Sequence, residues 1–288
     1  MVTIGQLLNE GTESLKGVGI STPRLDAEVL LYNILGVERI YLHMYPEKEV
    51  SEENQRIFKD HIEKRTKFMP IQYIVNKQEF MGVEFYVEEG VLIPRGDTEI
   101  LVEKVIEIYK DGFSPNKVKI MDIGTGSGAI AVSLAKYIEN SALTAIDISP
   151  KALEIAGRNA RNNNVESKIT FQLGSLFNPL HGKDEYKAYD FIISNPPYIP
   201  KSVVETLDSG VKDYEPRLAL DGGEDGLDFY REITLESKDY LKAGGWLMFE
   251  IGYDQGEAVR QLLNINGFGD IKIIKDLSGL DRVVIGKR

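Results

Sequence analysis

The chain has 288 residues, a formal net charge of −11, 42% hydrophobic and 27% charged residues, and no cysteine. That length allows one large domain or two modest ones, and the composition is that of a soluble globular protein. Disulfide and thiolate chemistry are excluded, three scattered histidines (His43, His61, His181) supply no metal set or catalytic triad, and no run approaches about eighteen apolar residues. The acidic balance argues against a dedicated nucleic-acid binder, whose affinity would rest on phosphate contacts.

The segment from Met1 to Gln6 has neither the basic start nor the apolar core of a leader, so a cytoplasmic protein is expected. Residues 1–71 read as a small helical bundle. Ile4, Leu7, Leu8 and Leu15 recur near helical spacing, and Gly17-Val18-Gly19 ends that helix. Thr22 is placed to cap a second helix that starts at Pro23 and stops at Gly36. Ser51 is placed to cap a third, from Glu52 to Phe68, which Pro70 closes; its charges are a solvated face.

Residues 72–90 read as a β-hairpin linker, with Tyr73-Ile74-Val75 facing the run Glu79–Val87. Residues 91–288 then alternate. A loop from Leu92 to Glu99 leads into a helix over 100–109, and strands are predicted over 117–122, 142–148, 169–173, 189–194 and 246–251. Helices are predicted over 129–137, 150–162, 227–241 and 255–265, and an antiparallel hairpin over 271–276 and 282–286 closes the chain. This alternation argues for a mostly parallel sheet covered on both faces. The stretch from Lys201 to Asp225 exceeds a normal connection and reads as a substrate-binding loop.

Two motifs fall at strand ends. Asp122-Ile123-Gly124-Thr125-Gly126-Ser127-Gly128 joins the first strand of the alternating region to its helix, and Asp147 ends the next strand. Glycines there allow a ligand to approach the backbone, and an acid after the following strand suits ribose hydroxyls. Dinucleotide sites use G-x-G-x-x-G, whereas this spacing is G-x-G-x-G with an acid before it. A carboxylate at Asp122 would repel a pyrophosphate and attract the ammonium of an amino-acid moiety, which favours S-adenosylmethionine (SAM) over NAD.

The second motif is Asn195-Pro196-Pro197-Tyr198, directly after the apolar strand 189–194. Two prolines make a stiff, extended backbone. Asn195 and the Pro196 carbonyl offer two acceptors for one planar NH2 group, and Tyr198 offers a ring to stack on it. A proline-rich turn with no chemistry is the plain alternative.

Taken together, these pieces look like an amino-group SAM methyltransferase. Further segments narrow the match: Ser21–Glu28, Glu79–Gly82, Leu92–Glu99, Glu215–Leu227 and Asp281–Val284 resemble the HemK/PrmC family of release factor N5-glutamine methyltransferases. The resemblance implies a Rossmann-like class I SAM methyltransferase domain, with a mostly parallel seven-stranded sheet and a terminal antiparallel hairpin, beside the N-terminal bundle. It implies a substrate, the glutamine of the Gly-Gly-Gln loop in class I release factors, and a bundle that helps to dock it. Asn195, Pro196, Pro197 and Tyr198 would be catalytic, with S-adenosyl-L-homocysteine the co-product. SAM would be held by Asp122, Gly124, Thr125, Gly126, Ser127, Gly128, Asp147 and Asn195. Leu92 and Ile93 would wall the transfer site, and Ser175 and Leu176 would meet the adenine. No metal, membrane or direct nucleic-acid partner is expected, and the chain is expected to be a monomer. Two positions depart from the family pattern: Gly96, where proline is usual, and Ser175, in a segment where an acid is common. An exocyclic-amino nucleic-acid methyltransferase, a dinucleotide oxidoreductase and a non-catalytic SAM-binding protein are the competing readings.

Overall fold

The structure is a computed structural model that describes residues 2–288. Met1, the first residue of the segment read as lacking a leader, lies outside the described residues. Among those residues no helix is long and apolar enough to cross a membrane.

The chain divides into two compact units, Met1–Lys77 with Asp208–Tyr214, and Gln78–Leu207 with Glu215–Arg288. In the first, α1 (Ile4–Gly17), α2 (Pro23–Leu35), α3 (Arg39–Met44), α4 (Glu52–Thr66) and α5 (Ile71–Val75) enclose a core built on Leu7, Leu30, Leu31 and Phe58. Thr3 and Gln6 form a reciprocal capping box at the start of α1, and Ser51 caps α4. Thr22 does not cap α2 as expected; its hydroxyl donates to Asp26 Oδ1 instead. Two elements differ from the sequence reading. Tyr73-Ile74-Val75 is the end of α5 rather than a strand, because Tyr73 and Ile74 are buried on a single helical turn that Asn76 closes in the left-handed region. Helix α3 has only six residues, too few to show a period.

The second unit opens with a hairpin, β1 (Gln78–Phe80) and β2 (Val83–Phe85), and then builds a seven-stranded sheet. Its elements are α6 (Gly96–Gly112), β3 (Val118–Ile123), α7 (Ala129–Tyr137), β4 (Ser141–Asp147), α8 (Pro150–Asn162), β5 (Ile169–Leu173) and β6 (Tyr189–Ser194). After the short helix α9 (Lys201–Val204) and α10 (Ser209–Lys212), the latter part of the first unit, come α11 (Asp228–Tyr240), β7 (Leu241–Glu250), α12 (Gly256–Ile265), β8 (Gly269–Lys275) and β9 (Asp281–Lys287). The strand order is β5-β4-β3-β6-β7-β9-β8. The first five strands are parallel, and β9 inserts antiparallel between β7 and β8. This is the expected sheet with its terminal hairpin.

Strands β3, β6 and the end of β7 are buried on both faces, in keeping with their largely apolar sequences. Two cores flank the sheet, one around Ile120, Phe191 and Ile193 and the other around Met121, Ile192 and Tyr230. The chain winds outward from β3 in one direction through β4 and β5, and from β6 in the other. The switch point therefore lies between β3 and β6, where open α/β sheets bind ligands. Residues 201–225, expected as a loop, contain α9, α10 and a 3-10 turn at Arg217–Ala219.

Candidate active site

The carboxyl ends of the strands assemble the site. Ile123 of β3 pairs with both Ile146 of β4 and Ser194 of β6. The Ser194 hydroxyl donates to the Ile123 carbonyl at 2.7 Å, which locks the two strands together at the switch point. Gly124, Gly126 and Gly128 follow with φ of +74°, +56° and +81°, backbone that side chains rarely adopt. At Gly128 a Cβ would also lie 3.0 Å from the Ala156 Cβ, so glycine lets α7 close onto α8.

Asp147 holds this turn in place. Its Oδ2 accepts from Gly126 N at 2.8 Å and its Oδ1 from Ser149 N at 2.9 Å. Burial pushes its carboxyl up from the ordinary range, and those two N–H groups and that of Ile148 pull it back. Three donors leave the carboxylate one lone pair for a ligand.

Asp122 is completely buried beneath the turn. Its Oδ2 accepts from the Thr125 hydroxyl at 2.6 Å, while its Oδ1 has no hydrogen-bond partner. Burial dominates and pushes its pKa up to about 7, against the Thr125 hydrogen bond and with a further push from the Asp147 charge.

A cavity of about 230 Å³ opens against these strand ends. Of the residues predicted for the site, Leu92, Gly124, Gly126, Asp147, Ser175, Leu176, Asn195, Pro196 and Pro197 line it. Leu176 takes a left-handed φ of +47°, rare for leucine, and packs against the second core. Asp122, Ile93, Thr125, Ser127, Gly128 and Tyr198 do not line the cavity. Asp122, Thr125, Ser127 and Gly128 are buried under or behind the turn, and Ile93 points into the core. Tyr198 packs against the second core, and Gln255 Nε2 holds its carbonyl at 2.9 Å. Burial raises the Tyr198 hydroxyl to about 12.

Several residues in or near the cavity wall carry no motif of their own. Leu218, Pro216 and Phe229 add to the cavity wall from beyond β6. Arg95, just before α6, pairs at 2.6 Å with the buried carboxylate of Glu215. Asn159 of α8, fully buried, accepts from Tyr86 N and donates to the Tyr86 and Ser127 carbonyls, tying the segment before Leu92 to the glycine turn. Thr98 and Glu250 are also buried, and Asn195 Nδ2 donates to Thr98 Oγ1 at 3.3 Å. Glu250 could have been found by analogy: β4 and β7 both end on an acid, and β3 carries one next to its last residue.

Known proteins share both halves of the chain. Residues 6–75 match the family described as PrmC N-terminal domain, and residues 97–209 match the Methyltransferase small domain. The chain is 44% identical over 263 residues to the release factor glutamine methyltransferase of Clostridium acetobutylicum, covering 91% of this chain and 90% of that one. It is 41% identical over 285 residues to the Geobacter sulfurreducens protein of the same name, covering 99% and 96%. Among solved structures, the hMettl16 catalytic domain aligns with a TM-score of 0.55 at 16% identity, over 82% of each chain. A methyltransferase from Pyrococcus furiosus aligns at 0.50 and 20% identity, over 72% of this chain and 89% of that one. These two likenesses concern the fold alone. The sequence identities, sustained over nearly the full length, are decisive: the chain belongs to the release factor glutamine methyltransferase family.

Proposed function

We propose that this protein transfers a methyl group from SAM to the side-chain amide nitrogen, N5, of the glutamine in the Gly-Gly-Gln motif of class I release factors. The observation that carries this reading is that Asn195 and Pro196, two acceptors on a stiff backbone, line the same cavity as the glycine turn and Asp147. An amide nitrogen is a poor nucleophile because its lone pair is delocalised. Acceptors on both of its protons orient it and return electron density to it.

The residues present fit SAM. Gly124 and Gly126 carry no side chain to fill the cavity, and Leu92 and Leu176 give it apolar walls. Asp147 stands where ribose hydroxyls would bind, and Ser175 adds a hydroxyl for the adenine edge. Asp122 Oδ1 is unpartnered but lies beneath the turn and off the cavity wall, so in this reading its charge favours the ammonium end of SAM through the turn and not by direct contact. When bound, SAM supplies an electrophilic methyl on a sulfonium. The chain's own residues hold the amide in line, and no side chain is required as a general base, since the nitrogen becomes acidic as it is alkylated. Tyr198, packed behind the motif, stiffens it in this reading rather than stacking on the substrate. Residues 2–71 help to dock the release factor, and the protein acts as a monomer without a nucleic-acid substrate.

The test is transfer of labelled methyl from SAM to a purified class I release factor. Label on the Gly-Gly-Gln glutamine, lost with Asn195→Ala, is the expected result. Label on DNA or RNA instead would refute it.

A further inference from the structure

Thr98, Asn195 and Glu250 come from three different elements: the first turn of α6, the residue after β6, and the last residue of β7. The parallel register that pairs Ser194 with Phe249 brings Asn195 and Glu250 to the same edge, one residue further along. Thr98 is 4% exposed and Glu250 2%. Asn195 Nδ2 donates to Thr98 Oγ1, which leaves that hydroxyl its one proton for another acceptor, and Thr98 and Asn195 both pull the pKa of the neighbouring Glu250 carboxyl down.

An acid is an unfavourable choice for that position on packing grounds alone. Glu250 Oε2 has no hydrogen-bond partner, and burying a carboxylate incompletely satisfied opposes folding. Arg282 faces it from β9, but that guanidinium lies 3.1 Å from both Asp97 and Asp276. The other groups around it are Asp97 from α6, Tyr198 after β6, and Tyr230 from α11, whose hydroxyl donates to the Glu250 backbone carbonyl rather than to its side chain. The carboxylate therefore shares its nearest cation, Arg282, with Asp97 and Asp276.

We infer that Glu250 is a positioning residue for methyl transfer: with Thr98 it fixes the Asn195 amide by its Nδ2, which leaves Oδ1 to accept from the substrate NH2. Its negative charge, one side chain behind the reacting nitrogen, also opposes the positive charge that builds there during alkylation. An interaction that strengthens only as that charge develops raises kcat rather than lowering KM. The inference rests on the amide-methylation reading above and adds two residues to it.

Burial pushes the Glu250 carboxyl up to about 7, with Thr98, Arg282 and Asn195 pulling it down and Asp97 pushing it up. The charged form is the useful one, so wild-type kcat at saturating SAM and release factor rises with pH through about 7. Glu250→Gln keeps an acceptor for Thr98 but removes the charge. It is expected to lower kcat by on the order of tenfold and abolish that rise, with KM for SAM within about twofold. Thr98→Val removes the hydroxyl at nearly constant volume. It is expected to lower kcat similarly, to keep the pH rise, and to be rescued by Thr98→Ser. Wild-type kcat and pH profile in both Glu250→Gln and Thr98→Val, with transfer still lost in Asn195→Ala, would overturn this inference and leave the amide-methylation reading standing. No transfer to the release factor by the wild-type chain would remove both.

Discussion

Gly222 lies flat against Pro197: a Cβ at residue 222 would stand 2.7 Å from the Pro197 carbonyl oxygen and 2.8 Å from the Tyr198 Cα. The two segments are stitched together there. Gly222 N donates to the Ile199 carbonyl at 2.9 Å, and Ile199 N to that of Leu220 at 3.0 Å. The returning chain thus acts as a backing plate for Asn195–Tyr198. Backbone surrounds the missing Cβ, so a side chain can be admitted only by moving the motif itself. Gly222→Ala is expected to lower kcat by on the order of 10- to 100-fold, because small misplacements of a positioning group have effects of that size. Steady-state kinetics alongside a thermal melt checks it: a normal kcat would show that the motif tolerates the shift.

Gly96 offers the opposite case. It is the first residue of α6, a Cβ there would meet no atom within 4 Å, and its φ is not positive. Arg95 before it is extended at φ −103° and ψ 147°, the conformation a following proline demands. Gly96→Pro is expected to stabilise the protein by roughly 0.4–1 kcal/mol, by restricting the unfolded chain. Denaturant unfolding with an unchanged m-value would display it, and a lower midpoint would contradict it.

Asp122 gives stability a pH signature. Its pKa rises from 3.8 to about 7 on folding. Between those values the folded chain keeps a proton that the unfolded chain has released. The group therefore favours folding most below about pH 4, and that contribution is lost as pH rises through about 7. Asp122→Asn is expected to gain stability relative to the wild type above pH 7 and to converge with it in acid. Melting temperatures of both proteins across pH 5 to 8 test this, and a constant difference would refute it. The same substitution is expected to raise KM for SAM.

The strands and helices around the glycine turn were legible because each runs long enough to show its period; α7, α8, β5 and β6 fall on the residues expected. The short elements were not. Helices α3, α5, α9 and α10 have six residues or fewer, and one turn gives no pattern to distinguish from a loop. The cavity wall was legible where a motif carries it, at Gly124, Gly126, Asp147 and Asn195–Pro197. Its surroundings were not legible at Thr98, Asn159 and Glu250, which are placed by pairings between residues about 30 to 150 positions apart. Tyr198 shows a further limit: its place in the motif did not reveal which way its ring would turn.

Helix α10 has a consequence for how this chain can be divided. Asp208–Tyr214 belongs to the same compact unit as residues 2–77, and the Tyr214 hydroxyl donates to the Lys67 carbonyl at 2.7 Å. The first unit is therefore discontinuous along the chain, and no single cut releases it whole. A truncation at Gln78 would strand α10 without the partners it packs on, and residues 2–77 by themselves would lack a piece of their own structure. Exchange of the amino-terminal unit between relatives, in the laboratory or over evolutionary time, would have to carry both segments at once.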